Sequence, residues 1–375
     1  FMELTEKNKE VGKLINFMIL NPTKFGVKTI NWLLNTDYWT LNTEHWLLNT
    51  EHWTLNTDYW TLITEHWILK MKYLKLIKYQ NLLLLATMLL VFRYLFLTQS
   101  YIDLALTDFN YLLLVLSTVC IAAGGAVMQH IVNQEEDEII RPQSRLVGNT
   151  ITETSAYNWY IGLTIVGVGI GFYLANVIYK PTFASLFVLV ATLLYVQATN
   201  LKQIPFINNG ITALLVAIPI VTIALFDVFP ATDATNKVRM GEVFGILIDY
   251  AIFSFFLVLL KELVNDLKNK QNDEMVGNTT LATRLGLLKT KIITGVFVIL
   301  ILAMILYYCN NYLFELNLAL YYILITMLGP LLLVGLKLIN STNAKEFIVL
   351  NRVLQFVLIT SLFSIAVIIY SIQHA

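Results

Sequence analysis

The sequence predicts an all-α integral membrane protein with nine transmembrane helices. Two observations carry that prediction. Of the 375 residues, 57% are hydrophobic and only 13% are charged, against roughly 25% charged in an ordinary soluble domain. The apolar residues are also gathered into runs of membrane-crossing length. A hydrocarbon core of about 30 Å takes about 20 apolar residues per helix, and such runs are read as helices because backbone left unpaired in lipid is too costly.

The spans fall near 80–98, 111–128, 157–178, 182–200, 211–229, 243–262, 291–309, 316–338 and 352–371. The first carries Arg93 mid-span, where a charge faces the bundle interior or a cavity. Either a structural partner or a substrate would answer it. The second carries Gly124 and Gly125, which suit close helix packing better than phosphate binding. Only Lys180 and Pro181 separate the third from the fourth. The sixth contains Asp249, open to the same two readings as Arg93. Cys120 and Cys309 lie within apolar runs of the second and seventh spans, which argues against a disulfide framework or a zinc site. No cleavable signal is evident, so the first apolar run is read as a retained helix.

Orientation follows from Lys and Arg in short loops. One side collects Arg141, Arg145, Lys202, Lys268, Lys270, Arg284, Lys289, Lys337 and Lys345, with Lys70, Lys72, Lys75 and Lys78 before the first span. The opposite loops hold Lys180, Lys237 and Arg239. The first side is therefore expected to be cytoplasmic. The expected location is a bacterial inner membrane. Formal net charge is zero and no basic tract occurs, so no nucleic-acid partner is expected.

Residues 1–70 stand apart. The stretch "LNTDYWTLNTEHWLLNTEHWTLNTDYWTLITEHW" repeats a seven-residue unit five times, but the positions three and four after Trp39 are Asn42 and Thr43. A coiled-coil seam needs apolar residues there. Asp always travels with Tyr (Asp37-Tyr38, Asp58-Tyr59) and Glu with His (Glu44-His45, Glu51-His52, Glu65-His66). In the genetic code the bases that distinguish these pairs are adjacent, so the pattern reads as a tandem DNA repeat translated in frame. The expectation is an N-terminal extension over 1–70 and a membrane domain over 71–375 starting at Met71.

Two polar loops on the same side are longer and more acidic than the rest. One runs from Gln129 to Thr152, "QHIVNQEEDEIIRPQSRLVGNTIT", and the other from Lys261 to Gly286, "KELVNDLKNKQNDEMVGNTTLATRLG". Each is expected to begin as a continuation of its helix, so that residues three and four apart share a face. Asn133 and Asp137 are paired this way in the first, with Glu136 adjacent to Asp137. Asp266, Asn269 and Asp273 are paired this way in the second. Opposed carboxylate clusters suit Mg²⁺ bridging a diphosphate, since this hard cation takes one or two carboxylates and completes its shell with phosphate and water. The plainer alternative is a pair of solvated helix ends.

At these loops the chain resembles the UbiA family of intramembrane prenyltransferases, over about residues 72–375 and in helix count. The family's first motif has the form N-D-x-x-D-x-x-x-D. Aligned on Pro142 and Gly148, it places Gln129-His130 on the opening pair, Asn133 on the middle aspartate and Asp137 on the last. The second motif resembles R-E-x-x-K-D-x-x-D-x-x-G-D and reads "KELVNDLKNKQND" here. Lys261, Glu262, Asp266 and Asp273 match in kind, Asn269 replaces an aspartate and Asn272 a glycine. "GNTTLATRLG", "IKYQN" and "NLKQIPFINN" are similar to further family segments.

The resemblance implies a nine-helix bundle that binds Mg²⁺, a prenyl diphosphate and a hydrophobic acceptor within membrane lipid. It makes Asp137, Asp266 and Asp273 the catalytic candidates. Asn133, Asp137, Asp266, Asn269 and Asp273 become the metal ligands, and Asn81, Arg145, Lys202 and Lys261 the diphosphate contacts. Because His130, Asn133 and Asn269 stand where the family has aspartates, two functions remain open. One is Mg²⁺-dependent transfer of a polyprenyl group such as geranylgeranyl, with Glu135 and Glu136 compensating in the first loop. The other is binding of a prenyl lipid without transfer. A small transporter is the weakest reading, since the acidic groups lie at helix ends rather than at the bilayer midplane.

Overall fold

The computed structural model describes Lys13 and residues 71–100, 102–140 and 142–374; the heptad repeat lies outside the described residues. The chain divides into Phe1–Met71 and Lys72–Ala375, and the second unit carries all the membrane-crossing helices among the described residues.

Nine helices among those residues are long and apolar enough to cross a membrane: α1 (Tyr79–Ser100), α2 (Asp108–Val132), α3 (Glu153–Val177), α4 (Pro181–Thr199), α5 (Ile207–Ala231), α6 (Lys237–Met275), α7 (Leu281–Leu313), α8 (Asn317–Asn340) and α9 (Ala344–Gln373). Large apolar side chains point outward along them, with Ile165, Ile299 and Ile325 at 66, 68 and 72% exposure. Such coverage suits lipid and not water, and the chain is an integral membrane protein.

Two apolar cores meet on α6. Met240, Val243 and Leu247 of α6 pack with Phe92, Tyr111 and Phe226 from α1, α2 and α5. Leu257, Leu260 and Val264, further along α6, pack with Ile301, Leu331 and Leu354 from α7, α8 and α9. A smaller core below α2 and α3 joins Leu76, Val127, Met128, Val147 and Ala156. Gly124 and Gly125 act as packing residues. A Cβ on Gly124 would lie 2.9 Å from Thr164 Oγ1, and one on Gly125 would lie 2.7 Å from Leu194 Cδ2. The tightest approach against backbone is at Gly167 of α3, where a Cβ would lie 2.9 Å from the Ser117 carbonyl oxygen and 3.1 Å from the Ile121 nitrogen. Backbone cannot swing aside as a side chain can, so Gly167→Ala should destabilise by about 1–3 kcal/mol. The check is the thermal unfolding midpoint; an unchanged midpoint would contradict the close α2–α3 contact.

Of the two loops expected to begin as continuations of their helices, one does so and the other does not. Helix α6 runs for 39 residues, well past the membrane-crossing stretch, because its polar continuation meets no breaker before Gly277. Its length carries Asp266, Asn269 and Asp273 on successive turns of one continuous helix, as expected. The first loop differs. Helix α2 stops at Val132, Asn133 leaves helical geometry with ψ 11°, and a short helix resumes at Gln134–Ile140. The break coincides with a competing bond, since Gln134 Nε2 donates to the Ile131 carbonyl at 2.9 Å. The backbone still spans the break: Asn133 N donates to Gln129 O at 3.0 Å and Asp137 N to Asn133 O at 2.9 Å. Gln129, Asn133 and Asp137 therefore remain one turn apart.

Arg93 has a structural partner. It sits in a π-helical stretch of α1, Phe92–Leu97, and pairs with Asp227 in another, Ala224–Val228 of α5. Arg93 also donates to the Leu106 carbonyl at 2.7 Å, and its guanidinium lies 5.0 Å from the Tyr111 ring centre. Asp227 accepts from the Leu106 amide at 3.1 Å. The pair thus fastens the α1–α2 connection to α5 at the end of the bundle away from the acidic loops. Both side chains are at most 5% exposed.

Candidate active site

Three connections meet at one end of the bundle. Lys202, between α4 and α5, donates from Nζ to Asn133 Oδ1 at 2.7 Å and forms an ion pair with Glu136 on the short helix. The other Glu136 oxygen accepts from Asn278 Nδ2 at 3.0 Å, and Asn278 belongs to the α6–α7 turn. Gln203 Nε2 donates to Asn278 Oδ1 at 3.2 Å, while Gln203 Oε1 accepts from the Thr279 amide at 3.1 Å. One lysine and one glutamine thus tie both acidic loops together.

The turn after α6 is shaped by Gly277, whose φ of 73° is left-handed and suits glycine at a helix C-terminus. It folds the chain back so that Asn278 N donates to the Asp273 carbonyl at 2.8 Å. Thr280 then caps α7 in a capping box with Thr283. Asp273 is half-buried among Glu136, Lys202, Asn278 and Thr280. About two turns earlier, Asp266 is only 9% exposed. Its Oδ2 accepts from Asn209 Nδ2 at 2.9 Å and from the Leu281 amide at 3.3 Å. Asp266 therefore joins α5, α6 and the start of α7 through one oxygen.

A further cation enters from the chain before α1. Lys78 has a left-handed backbone, φ 52° and ψ 52°, which interrupts the helical path from 71–76 into α1. Its Nζ donates to Gln129 Oε1 at 2.6 Å. Burial pulls its pKa below the ordinary lysine value, opposed by the negative charges of Asp137 and Glu262. The neighbouring His130 has a buried Nε2 with no hydrogen-bond partner among the described residues.

The sequence-predicted residues sort by place. Asn133, Asp266, Asp273 and Lys202 take part in or border the network, and Asp137 lies on the same ridge beside Lys78. Asn269 and Lys261 are half-buried on α6. Arg145 is engaged within its own loop, to Glu138 at 2.7 Å and the Val147 carbonyl at 3.0 Å. Gly148, φ 84°, passes so close that a Cβ would lie 2.5 Å from the Arg145 guanidinium. Asn81 is exposed at the start of α1. Sequence reasoning missed Lys78, Asn209, Gln203 and Asn278 as members, although all four lie in the segments "IKYQN", "NLKQIPFINN" and "GNTTLATRLG".

The donor set bears on the implied Mg²⁺. Among the described residues, no three His, Cys, Asp or Glu side chains converge tightly enough to hold a metal ion. Asp266, Asn269 and Asp273 supply hard oxygen donors on one helix face, and Mg²⁺ needs only one or two carboxylates when phosphate and water complete its shell. The second-motif half therefore fits a cation. The first-motif half presents amides and ammonium groups around Asp137 and fits one less well. A cavity of 610 Å³ between α6, α7, α8 and α9 is lined by Asp249, Tyr308, Tyr312 and mostly apolar residues. It includes none of the network residues.

Nine membrane-crossing helices among the described residues, with carboxylates, amides and ammonium groups drawn together at one end, define an intramembrane protein with a polar cluster at that end. Residues 82–370 match the model of the UbiA prenyltransferase family, and the chain belongs to that family. It is 25% identical over 185 residues to digeranylgeranylglyceryl phosphate synthase of Methanoregula boonei, covering 49% of this chain and 60% of that protein. The same-named protein of Sulfolobus acidocaldarius is 31% identical over 182 residues, 48% and 60% respectively. That of Saccharolobus solfataricus is 27% identical over 231 residues, 61% and 74%. The chain thus spans about 60% of the length of the first two relatives. In fold it is similar to a solved structure described as digeranylgeranylglyceryl phosphate synthase in membranes. That match has a TM-score of 0.56 at 17% identity and covers 80% of this chain and 98% of that one. An apo UbiA homologue from Aeropyrum pernix K1 gives a TM-score of 0.51 at 11% identity, covering 77% and 95%.

Proposed function

We propose that the chain transfers a polyprenyl group, geranylgeranyl being the first candidate, from its diphosphate to a lipid-like acceptor, with the site loops on the cytoplasmic face of the membrane. The observation that supports this best is the junction of the two motif loops through Lys202, Glu136 and Asn278, which gathers anion-binding and cation-binding groups at one bundle end. The names of the relatives favour a glycerol-based prenyl lipid carrying a free hydroxyl as acceptor.

In this reading Lys202 and Lys261 meet the diphosphate, and Asp266, Asn269 and Asp273 on the second-motif side would hold Mg²⁺. Bound Mg²⁺ would supply neutralising charge to the departing diphosphate. The allylic C–O bond breaks with its electron pair leaving on the diphosphate. The acceptor oxygen then bonds to the allylic carbon and gives up its proton, for which Asp266 is the candidate base. Asn209 and the Leu281 amide hold the Asp266 carboxylate in place for that task.

The second reading, a prenyl-lipid-binding protein without transfer, is favoured by the amides at Asn133 and Asn269. An amide oxygen ligates a cation but brings no negative charge. Measuring diphosphate release for the wild type beside Asn133→Asp/Asn269→Asp separates the two. Transfer predicts release by the wild type and a several-fold increase in the variant. Absence of release in both, with prenyl diphosphate still bound, would favour the binding protein.

A further inference from the structure

Gln129, Asn133 and Asp137 form a ridge at one-turn spacing, and ammonium groups already engage the first two side chains. Lys78 reaches Gln129 at 2.6 Å, and Lys202 reaches Asn133 at 2.7 Å while also pairing with Glu136. These contacts are built rather than incidental. The Lys78 backbone adopts a left-handed conformation that non-glycine residues enter at some cost, and the turn it makes brings the ammonium inward while Asn81 stays exposed. The same ridge carries an imidazole, an amide and a single carboxylate at the positions where the resemblance places aspartates. A dication held there would have Asp137 as its one motif carboxylate, with Glu136 already paired to Lys202 and two ammonium groups as neighbours. A diphosphate meets the opposite situation, since both ammonium groups carry donors and positive charge toward it.

We propose that in this chain Lys78 and Lys202 together take the charge-neutralising place of a divalent cation on the first-motif side, so that a prenyl diphosphate binds there without metal. Any metal requirement is then confined to the second-motif side, at Asp266, Asn269 and Asp273. The proposal rests on the prenyl-diphosphate reading of the site.

The test is equilibrium binding of geranylgeranyl diphosphate to the full chain in lipid nanodiscs, with EDTA and separately with Mg²⁺. Binding should persist in EDTA within about tenfold of its Mg²⁺ value. Lys78→Met and Lys202→Met should each weaken EDTA binding by about tenfold to a hundredfold, the range for losing a charged hydrogen bond. Lys78→Arg should recover most of the loss, and Lys180→Met, in the α3–α4 connection, should change nothing. Thermal unfolding of each variant shows whether it is folded, and Lys78→Arg keeps the test open should Lys78→Met not fold. Binding that requires Mg²⁺ would overturn the proposal alone. Binding in neither condition would overturn both it and the prenyl-diphosphate reading.

Discussion

Asp273→Ala should abolish prenyl transfer, lowering the rate of diphosphate release at least about a hundredfold, the upper end of what losing a supporting contact costs a metal site. Asp273 is half-buried beside Lys202 and Glu136, so its removal subtracts the carboxylate proposed to bind metal and leaves the packing alone. Its unfolding midpoint should stay near that of the wild type. Asp266→Ala should behave differently. Asp266 is nearly buried and accepts from Asn209 and the Leu281 amide. Its truncation strands two donors at a cost of about 1–3 kcal/mol each, so activity and stability should fall together. Full activity in Asp273→Ala would refute the site assignment.

The largest stability effect is expected at the other end of the molecule. Arg93→Met leaves Asp227 as an uncompensated charge at 0% exposure, and breaking a buried pair from one side costs about 3–5 kcal/mol. Asp227→Leu should cost as much from the other side. The double variant Arg93→Met/Asp227→Leu should recover most of the loss, because apolar replacement of a whole buried pair is close to neutral. Thermal unfolding of the four proteins in detergent measures the coupling. Equal, additive losses would show that the pair does not act as a unit.

The spans were legible in the sequence because hydropathy over about 20 residues is a local property, and lipid enforces helix wherever it is high. Their ends were less so. Helices α6 and α7 extend beyond their apolar windows, since a polar helix outside the bilayer leaves no hydropathy signal. The break at Asn133 was hidden because it depends on a side-chain bond from Gln134 competing with the ladder. The site was half legible. Spacing alone grouped Asp266, Asn269 and Asp273, which share one unbroken helix. Asn209 and Gln203 come from a separate connection, and their bonds to Asp266 and Asn278 exist only once α5 packs on α6. Lys78 was the least legible, because the residue in its segment singled out from the sequence was Asn81. In the structure Lys78 turns to Gln129 while Asn81 is exposed. Arg93 was legible as needing a partner, but its partner Asp227 lies 134 positions away.

Prenyl transfer at the junction of the two motif loops requires a lipid product of defined mass. The purified chain in nanodiscs would be incubated with geranylgeranyl diphosphate, Mg²⁺ and geranylgeranylglyceryl phosphate, and the extract analysed by mass spectrometry. Transfer predicts a product equal to the acceptor plus one geranylgeranyl group less a hydrogen, formed by the wild type and absent with Asp273→Ala. Unreacted acceptor in a preparation that still binds the diphosphate, across a panel of lipid hydroxyl acceptors, would contradict it.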